Sequence, residues 1–179
     1  MLRLPLLLAA LCLGGCYGVA QVGYGNGLPF DLARHRKLSA GEAELGFNGG
    51  LGDLREERDR VAPELGVRLE GGAPGQIRAE LGLGLLLLQQ PGWSHSWTPT
   101  LRLQAPVGLQ WRAGGTAVVF SPGVELGVVL FGGQGTRQRS LITLGLGVSD
   151  HLELGTENHL PVLELRLGFG DSTSIGPLS

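Results

Sequence analysis

The stretch Leu101-Arg-Leu-Gln-Ala-Pro-Val-Gly-Leu-Gln-Trp-Arg112 decides the fold, because apolar and polar residues alternate along its whole length. Successive side chains of a β-strand point to opposite faces, so a period of two predicts a strand over 98–112 with one apolar and one polar face. Pro106 falls inside this strand. A proline within a strand usually marks an edge or a bulge, so we expect an interruption here, and another at Pro122 in the next strand.

The same alternation recurs along most of the chain. It predicts further strands at 42–51, 60–70, 76–88, 116–131, 138–148 and 161–170, with a short one at 151–156. The total is eight strands, an even number, joined in sequence. Every Glu and Arg within these strands falls on the polar face. The sequence therefore predicts an all-β fold, an eight-stranded antiparallel up-and-down barrel.

Glycine indicates which face of the barrel is outside. The chain has 32 Gly in 179 residues, and many of them share the polar face with Glu and Arg. Gly weakens a strand that faces water, whereas inside a narrow eight-stranded barrel it makes room for long side chains. We therefore predict a transmembrane barrel with leucines facing lipid and a plugged lumen that contains an ion-pair network. The predicted network consists of Glu44, Glu64, Arg68, Arg78, Glu80, Arg102, Glu125, Glu164 and Arg166.

Loops and aromatic residues agree with a membrane position. The predicted connections alternate between longer and shorter ones, as extracellular loops and periplasmic turns do. This places Asp53–Arg60 outside the cell. Trp97 and Trp111 lie at opposite ends of one strand, where interfacial aromatic residues are expected.

In these features the chain resembles small bacterial outer-membrane β-barrels of the eight-stranded OmpA-like type, over residues 42–170. The resemblance implies a monomer in outer-membrane lipid, inserted by the barrel-assembly machinery, which reads a C-terminal aromatic residue. Phe169 matches that residue and is the third predicted interfacial aromatic. The tail 171–179 departs from the pattern of relatives that stop at the aromatic.

The N-terminus has the properties of an export signal. One Arg precedes a short apolar stretch that ends in Leu13-Gly-Gly-Cys16, which resembles a bacterial lipobox. We predict a lipoprotein-type signal peptide over 1–15, lipidation of Cys16, and a lipid-anchored flexible tether over 16–41. The alternative is an ordinary signal peptide cut after Ala20. A tether would place Arg34–Lys37 near periplasmic headgroups or simply in solvent.

Several functions are disfavoured. A net charge of −2 gives no broad attraction to nucleic acid, and the single Lys lacks the glycines of a phosphate loop. The His residues match no strong zinc spacing, so we expect no metal, no cofactor and no enzymatic activity. A lipid hydrolase that uses Ser94 and His95 is a distant alternative. The main rival is a membrane-tethered soluble lipocalin-like barrel whose leucines enclose a small apolar ligand.

Overall fold

The computed structural model describes residues 16–27, 42–51, 61–72, 76–88, 97–132, 138–157 and 159–173. These residues form one antiparallel sheet. Its strands are β1 (Cys16–Gly27), β2 (Glu42–Leu51), β3 (Val61–Gly72), β4 (Gln76–Leu88), β5 (Trp97–Arg112), β6 (Gly115–Phe120), β7 (Gly123–Gly132), β8 (Gln138–Glu153) and β9 (His159–Thr173). No helix among these residues is long and apolar enough to cross a membrane.

The sheet closes into a ring. Apart from β6 and β7, which do not pair with each other, each strand pairs with its neighbours in sequence, and β1 pairs with β9 over Cys16↔Thr173 to Gly27↔Val162. β6 and β7 both lie between β5 and β8, so they act as two halves of one strand. The ring thus has eight members. The predicted fold class, an eight-stranded antiparallel up-and-down barrel, is confirmed.

Two of the predicted strand assignments were wrong. The predicted tether over 16–41 contains β1, which supplies a full barrel strand at Cys16–Gly27. The predicted short strand at 151–156 is the end of β8, which continues through Ser149 and Asp150 without a turn. These two errors cancel in the count of eight. The barrel therefore extends from residue 16 to residue 173 rather than from 42 to 170.

The predicted interruption is present at Pro122 and absent at Pro106, and neither proline produces a bulge. Gln104 pairs with Gly123 and Val107 pairs with Phe120, so the same number of residues separates the pairs on both strands. Pro106 lies within continuous β5, and its carbonyl accepts a hydrogen bond from the Ser121 N–H at 2.9 Å. Pro122 only separates β6 from β7, because it cannot donate to the ladder.

The apolar face of the sheet is the outer face. Leu83, Leu126 and Leu45 are 70%, 65% and 62% exposed, and most large apolar side chains of the strands share their orientation. Leu103 points outward, whereas Gln104 points inward and accepts a hydrogen bond from Arg68 at 2.6 Å. This is the arrangement of a membrane barrel and the reverse of a soluble barrel with an apolar interior.

The two ends of the barrel differ in which strands begin and end there. β1 begins and β9 ends at one end, which we call the terminal end; β2, β4 and β7 also end there, and β3, β5 and β8 begin there. β1, β3, β5 and β8 end at the opposite end, where β2, β4, β6 and β9 begin. Asp53–Arg60, predicted to lie outside the cell, falls outside the described residues. The missed strand β1 reverses the direction of β2 to β8 relative to the prediction, while β9 keeps its predicted direction because the predicted strand at 151–156 is part of β8.

Candidate functional site: the charged lumen

The lumen contains a large set of buried charged residues. All nine predicted network residues are less than a tenth exposed, and Glu42 and Glu70 join them. Seven carboxylates and four guanidinium groups are thus buried among the described residues. Buried charges are stable only when they are paired and hydrogen-bonded, so the contacts between them determine whether this interior can exist.

Arg166, on β9, is the centre of the network. Its guanidinium group forms ion pairs with Glu44 of β2 and Glu125 of β7, each at 2.9 Å, and also contacts Glu164. The side chains of Arg166, Glu44 and Glu125 are each at most 5% exposed. One cation therefore compensates carboxylates from three different strands.

Arg102 performs the same role on the other side of the lumen. Its Nε lies 2.7 Å from Glu64 Oε2, and its Nη1 contacts Glu125. Glu125 thus connects Arg102 to Arg166. Tyr17 Oη donates to Glu64 Oε1 at 2.6 Å, which adds a neutral donor to the same carboxylate.

Strand β1, in the segment predicted to be a tether, supplies further polar groups to the lumen. Gln21 Nε2 donates to Glu44 Oε1 at 2.9 Å, and Asn48 Nδ2 donates to Gln21 Oε1 at 3.0 Å. Tyr17, Gln21 and Asn48 are buried. Gln21 and Tyr17 thus add neutral donors to carboxylate oxygens that arginines also contact, Glu44 Oε1 with Arg166 at 3.2 Å and Glu64 Oε1 with Arg102 at 3.3 Å.

Glycines provide the space for these side chains. A Cβ on Gly23 would lie 3.0 Å from Glu44 Oε2 and 3.3 Å from Arg166 Cγ. A Cβ on Gly84 would lie 3.4 Å from Glu64 Oε2 and 3.1 Å from the Leu103 carbonyl oxygen. The polar-face glycines thus allow long charged side chains to lie against the barrel wall.

The two ends of the lumen have different chemistry. At the terminal end, buried apolar residues fill the interior: Tyr17, Val19, Ala62, Leu86, Val129 and Leu141. We call this group the apolar plug. The opposite end is polar and acidic, and it contains Glu42, Glu70, Arg78 and His151.

Arg78 lies between the acidic groups of the opposite end. Its Nη2 is 2.7 Å from Glu42 Oε2, its Nη1 is 3.1 Å from Glu70 Oε2, and Nη1 also contacts His151 Nδ1. At the rim, Arg112 forms a bidentate pair with Glu153 at 2.6 and 2.9 Å.

A Ser, a His and a Glu come close together at this end, but their contacts do not form a catalytic triad. Ser121 Oγ lies 2.8 Å from His151 Nδ1, and His151 Nε2 is 4.0 Å from Glu164 Oε1. Ser121 is fully buried, and its hydroxyl donates to Glu80 at 2.5 Å. A nucleophile must give its proton to the base and be accessible to substrate, and Ser121 does neither. Ser94 and His95, the other pair considered, lie outside the described residues.

The predicted interfacial and lipidation residues lie on the outside or at the rim. Trp111 and Phe169 are 42% and 55% exposed, and Trp97 begins β5 at the terminal end, opposite Trp111. Cys16 is the first residue of β1, where its backbone pairs with Leu51 and Thr173.

Comparison with known proteins identifies the fold. No protein-family model and no curated protein matches the sequence. Among solved structures, the chain is similar to neisserial surface protein A with a TM-score of 0.60 and 10% identity, covering 89% of this chain and 96% of that one. It also matches the N-terminal β-barrel domain of Pseudomonas aeruginosa OprF at a TM-score of 0.49 and 12% identity, over 88% and 98% of the two chains. The first likeness shows that the fold is that of a small membrane β-barrel.

Proposed function

We propose that the protein is an integral outer-membrane β-barrel with a plugged lumen and a non-enzymatic, structural or surface-interaction role. The proposal rests on the distribution of apolar and charged side chains, which is the reverse of the distribution in a soluble protein. The outer surface carries exposed leucines on every side of the ring, while eleven Glu and Arg side chains are buried inside. Only a surrounding of hydrocarbon makes such a surface stable.

The filled interior supports a plugged barrel rather than a pore. The apolar plug occupies the terminal end, and the Glu–Arg network crosses the middle of the lumen. An eight-stranded barrel has an interior only wide enough for its own side chains. A lipocalin-like function would require the leucines to line a ligand cavity, and they point the other way.

Insertion by the barrel-assembly machinery fits the position of Phe169 as part of this proposal. Its side chain is on the outer face of β9, the last strand of the ring, near the terminal end. An exposed aromatic residue at that position is available to an assembly factor before the strand is inserted.

Membrane extraction tests the integral barrel against a tethered soluble domain. We expect the Cys16→Ala protein to remain with the outer-membrane fraction after an alkaline carbonate wash, because the exposed leucines of the outer face hold it there and an anchor is not needed. It should also migrate faster on a gel when unheated than when boiled, as a closed barrel does. Release of Cys16→Ala into the wash while wild type stays bound would contradict the proposal.

Lipidation of Cys16 is a second element of the proposal, and the position of β1 supports it. Cleavage before Cys16 leaves β1 complete. Cleavage after Ala20 would remove Tyr17, which donates to Glu64, and Val19, which is 1% exposed in the apolar plug. Because β1 joins β2 to β9, that second cut would shorten the strand that closes the ring. Lipidated Cys16 would then begin the first barrel strand directly, without a tether.

Palmitate labelling in a Gram-negative host tests this element. We expect labelled wild type, no label on Cys16→Ala, and full label on Cys12→Ala, because Cys12 lies in the predicted leader. The mass of the mature N-terminus gives an independent measurement. Equal labelling of wild type and Cys16→Ala, or a mature chain that begins at Gln21, would rule out Cys16 as the anchor.

A further inference from the structure

The opposite end of the lumen contains three potential metal ligands that no predicted role includes. One ligand atom each from Glu42, Glu70 and His151 lies within 4.8 Å of the other two. These residues come from β2, β3 and β8 and are 7%, 6% and 6% exposed. A cavity of about 10 Å³ lies against all three, enough for about one water or one ion. We propose that this cluster binds one divalent transition cation of the Zn²⁺ type.

The donor atoms fit this class of ion. Two carboxylates and one imidazole form a mixed set of oxygen and nitrogen ligands. Such a set suits Zn²⁺ and similar divalent transition-metal ions better than Ca²⁺ or Mg²⁺. Zinc binds such atoms at about 2.0–2.2 Å, so the three groups must move together by a small amount around the ion. Three protein ligands leave a coordination position for water.

The charge of the lumen provides an independent reason for a cation here. Seven buried carboxylates face four buried guanidinium groups among the described residues, an excess of three negative charges. At the opposite end, Arg78 pairs with Glu42 and Glu70. Arg68 reaches the same group from the middle of the lumen, 3.4 Å from Glu70 and 3.7 Å from Glu80. Glu42 has only Arg78 as its ion-pair partner among the described residues. A divalent ion in place of the Arg78 guanidinium group would add one net positive charge at this site, in a region of low dielectric where uncompensated charge is unfavourable.

Arg78 lies in the place that the cation would take. It contacts all three candidate ligands, yet its own Nε has no hydrogen-bond partner and Glu70 Oε2 accepts no hydrogen bond, although Arg78 Nη1 is 3.1 Å away. The guanidinium group therefore fills the site with incomplete hydrogen bonding. Arg78 is two residues from Gln76 at the start of β4, so its long side chain can extend toward the mouth when an ion enters. Cation binding and the present position of Arg78 exclude each other.

Cobalt titration of the full chain, folded in detergent, tests the site. We expect wild type to bind one Co²⁺ with visible absorption bands that Zn²⁺ abolishes. His151→Gln should weaken binding at least about tenfold. The matched control is His159→Gln, because His159 lies at the same end but is exposed and pairs with Asp150 at 3.5 Å. This control should bind as wild type does. Equal Co²⁺ affinity of His151→Gln and wild type would overturn the proposal.

A second variant tests the competition with Arg78. Arg78→Met removes the guanidinium group and should tighten Co²⁺ binding about tenfold. If this variant does not fold alone, as judged by gel mobility before and after boiling, Zn²⁺ added during refolding should restore the folded form. Absence of Co²⁺ binding by both folded wild type and folded Arg78→Met, or failure of Zn²⁺ to rescue an unfolded Arg78→Met, would show that the lumen has no metal site.

Discussion

Replacing Arg166 with Met is expected to lower the free energy of unfolding by about 3–5 kcal/mol, the usual effect of removing one partner of a buried ion pair. Arg166 contacts Glu44, Glu125 and Glu164, so its loss leaves three buried carboxylates with fewer partners. Met keeps much of the side-chain volume and isolates the loss of charge. Urea titration of the barrel in lipid vesicles, followed by tryptophan fluorescence, measures the change.

The control for this prediction is Arg112→Met. Arg112 also forms a bidentate pair with a carboxylate, but its side chain is 38% exposed at the rim. Exposed ion pairs contribute about 0–1 kcal/mol, so this variant should unfold close to wild type. Equal unfolding midpoints for Arg166→Met and Arg112→Met would mean that the lumen is hydrated and that its network does not hold the strands together.

Placing a charge on the apolar outer face of the barrel should have the second largest effect on the free energy of unfolding. Leu83 is 70% exposed near the middle of β4, opposite Leu65 and Ala105 on the neighbouring strands. We expect Leu83→Arg to destabilise the barrel by about 2–4 kcal/mol in a bilayer, the range for Arg on a barrel's lipid face at the midplane. The same vesicle unfolding titration provides the measurement.

Leu154→Arg is the matched control for Leu83→Arg. Leu154 is 54% exposed, but it lies in the turn after β8, beyond the strands. Arg there would be in water or near headgroups, so the change should be within about 0.5 kcal/mol. If Leu83→Arg were as mild as Leu154→Arg, the surface around Leu83 would not be in hydrocarbon.

Alternation alone was sufficient to predict most of the barrel. Where one face is apolar and the other polar, as from Leu101 to Arg112, the sequence determines both the strand and its orientation. β1 does not follow this rule. Its inward residues include Tyr17 and Val19 of the apolar plug, while Val22 and Tyr24 face outward, so both faces are apolar. A strand that contributes to the plug loses the periodicity by which strands are recognised.

The sequence could not predict which side chains pair with each other in the lumen. Arg166 and Glu44 are separated by 122 positions in sequence and meet only because β1 and β9 join the ends of the sheet. Ser149 and Asp150 look like a turn, yet in β8 Ser149 points inward and donates to Glu164 at 2.5 Å. Side-chain pairing across a lumen depends on the strand register around the whole ring. A local sequence pattern does not determine that register.

The hydrogen bonds between β1 and β9 also have a consequence for biogenesis. The first and last strands are far apart in sequence, and contacts of large sequence separation form slowly. Until β9 has been delivered, the earlier leucine-rich strands would lack a closed ring and would tend to aggregate in water. A closed and stable barrel therefore requires the whole chain, from β1 to β9, to be present before any part of the ring is complete.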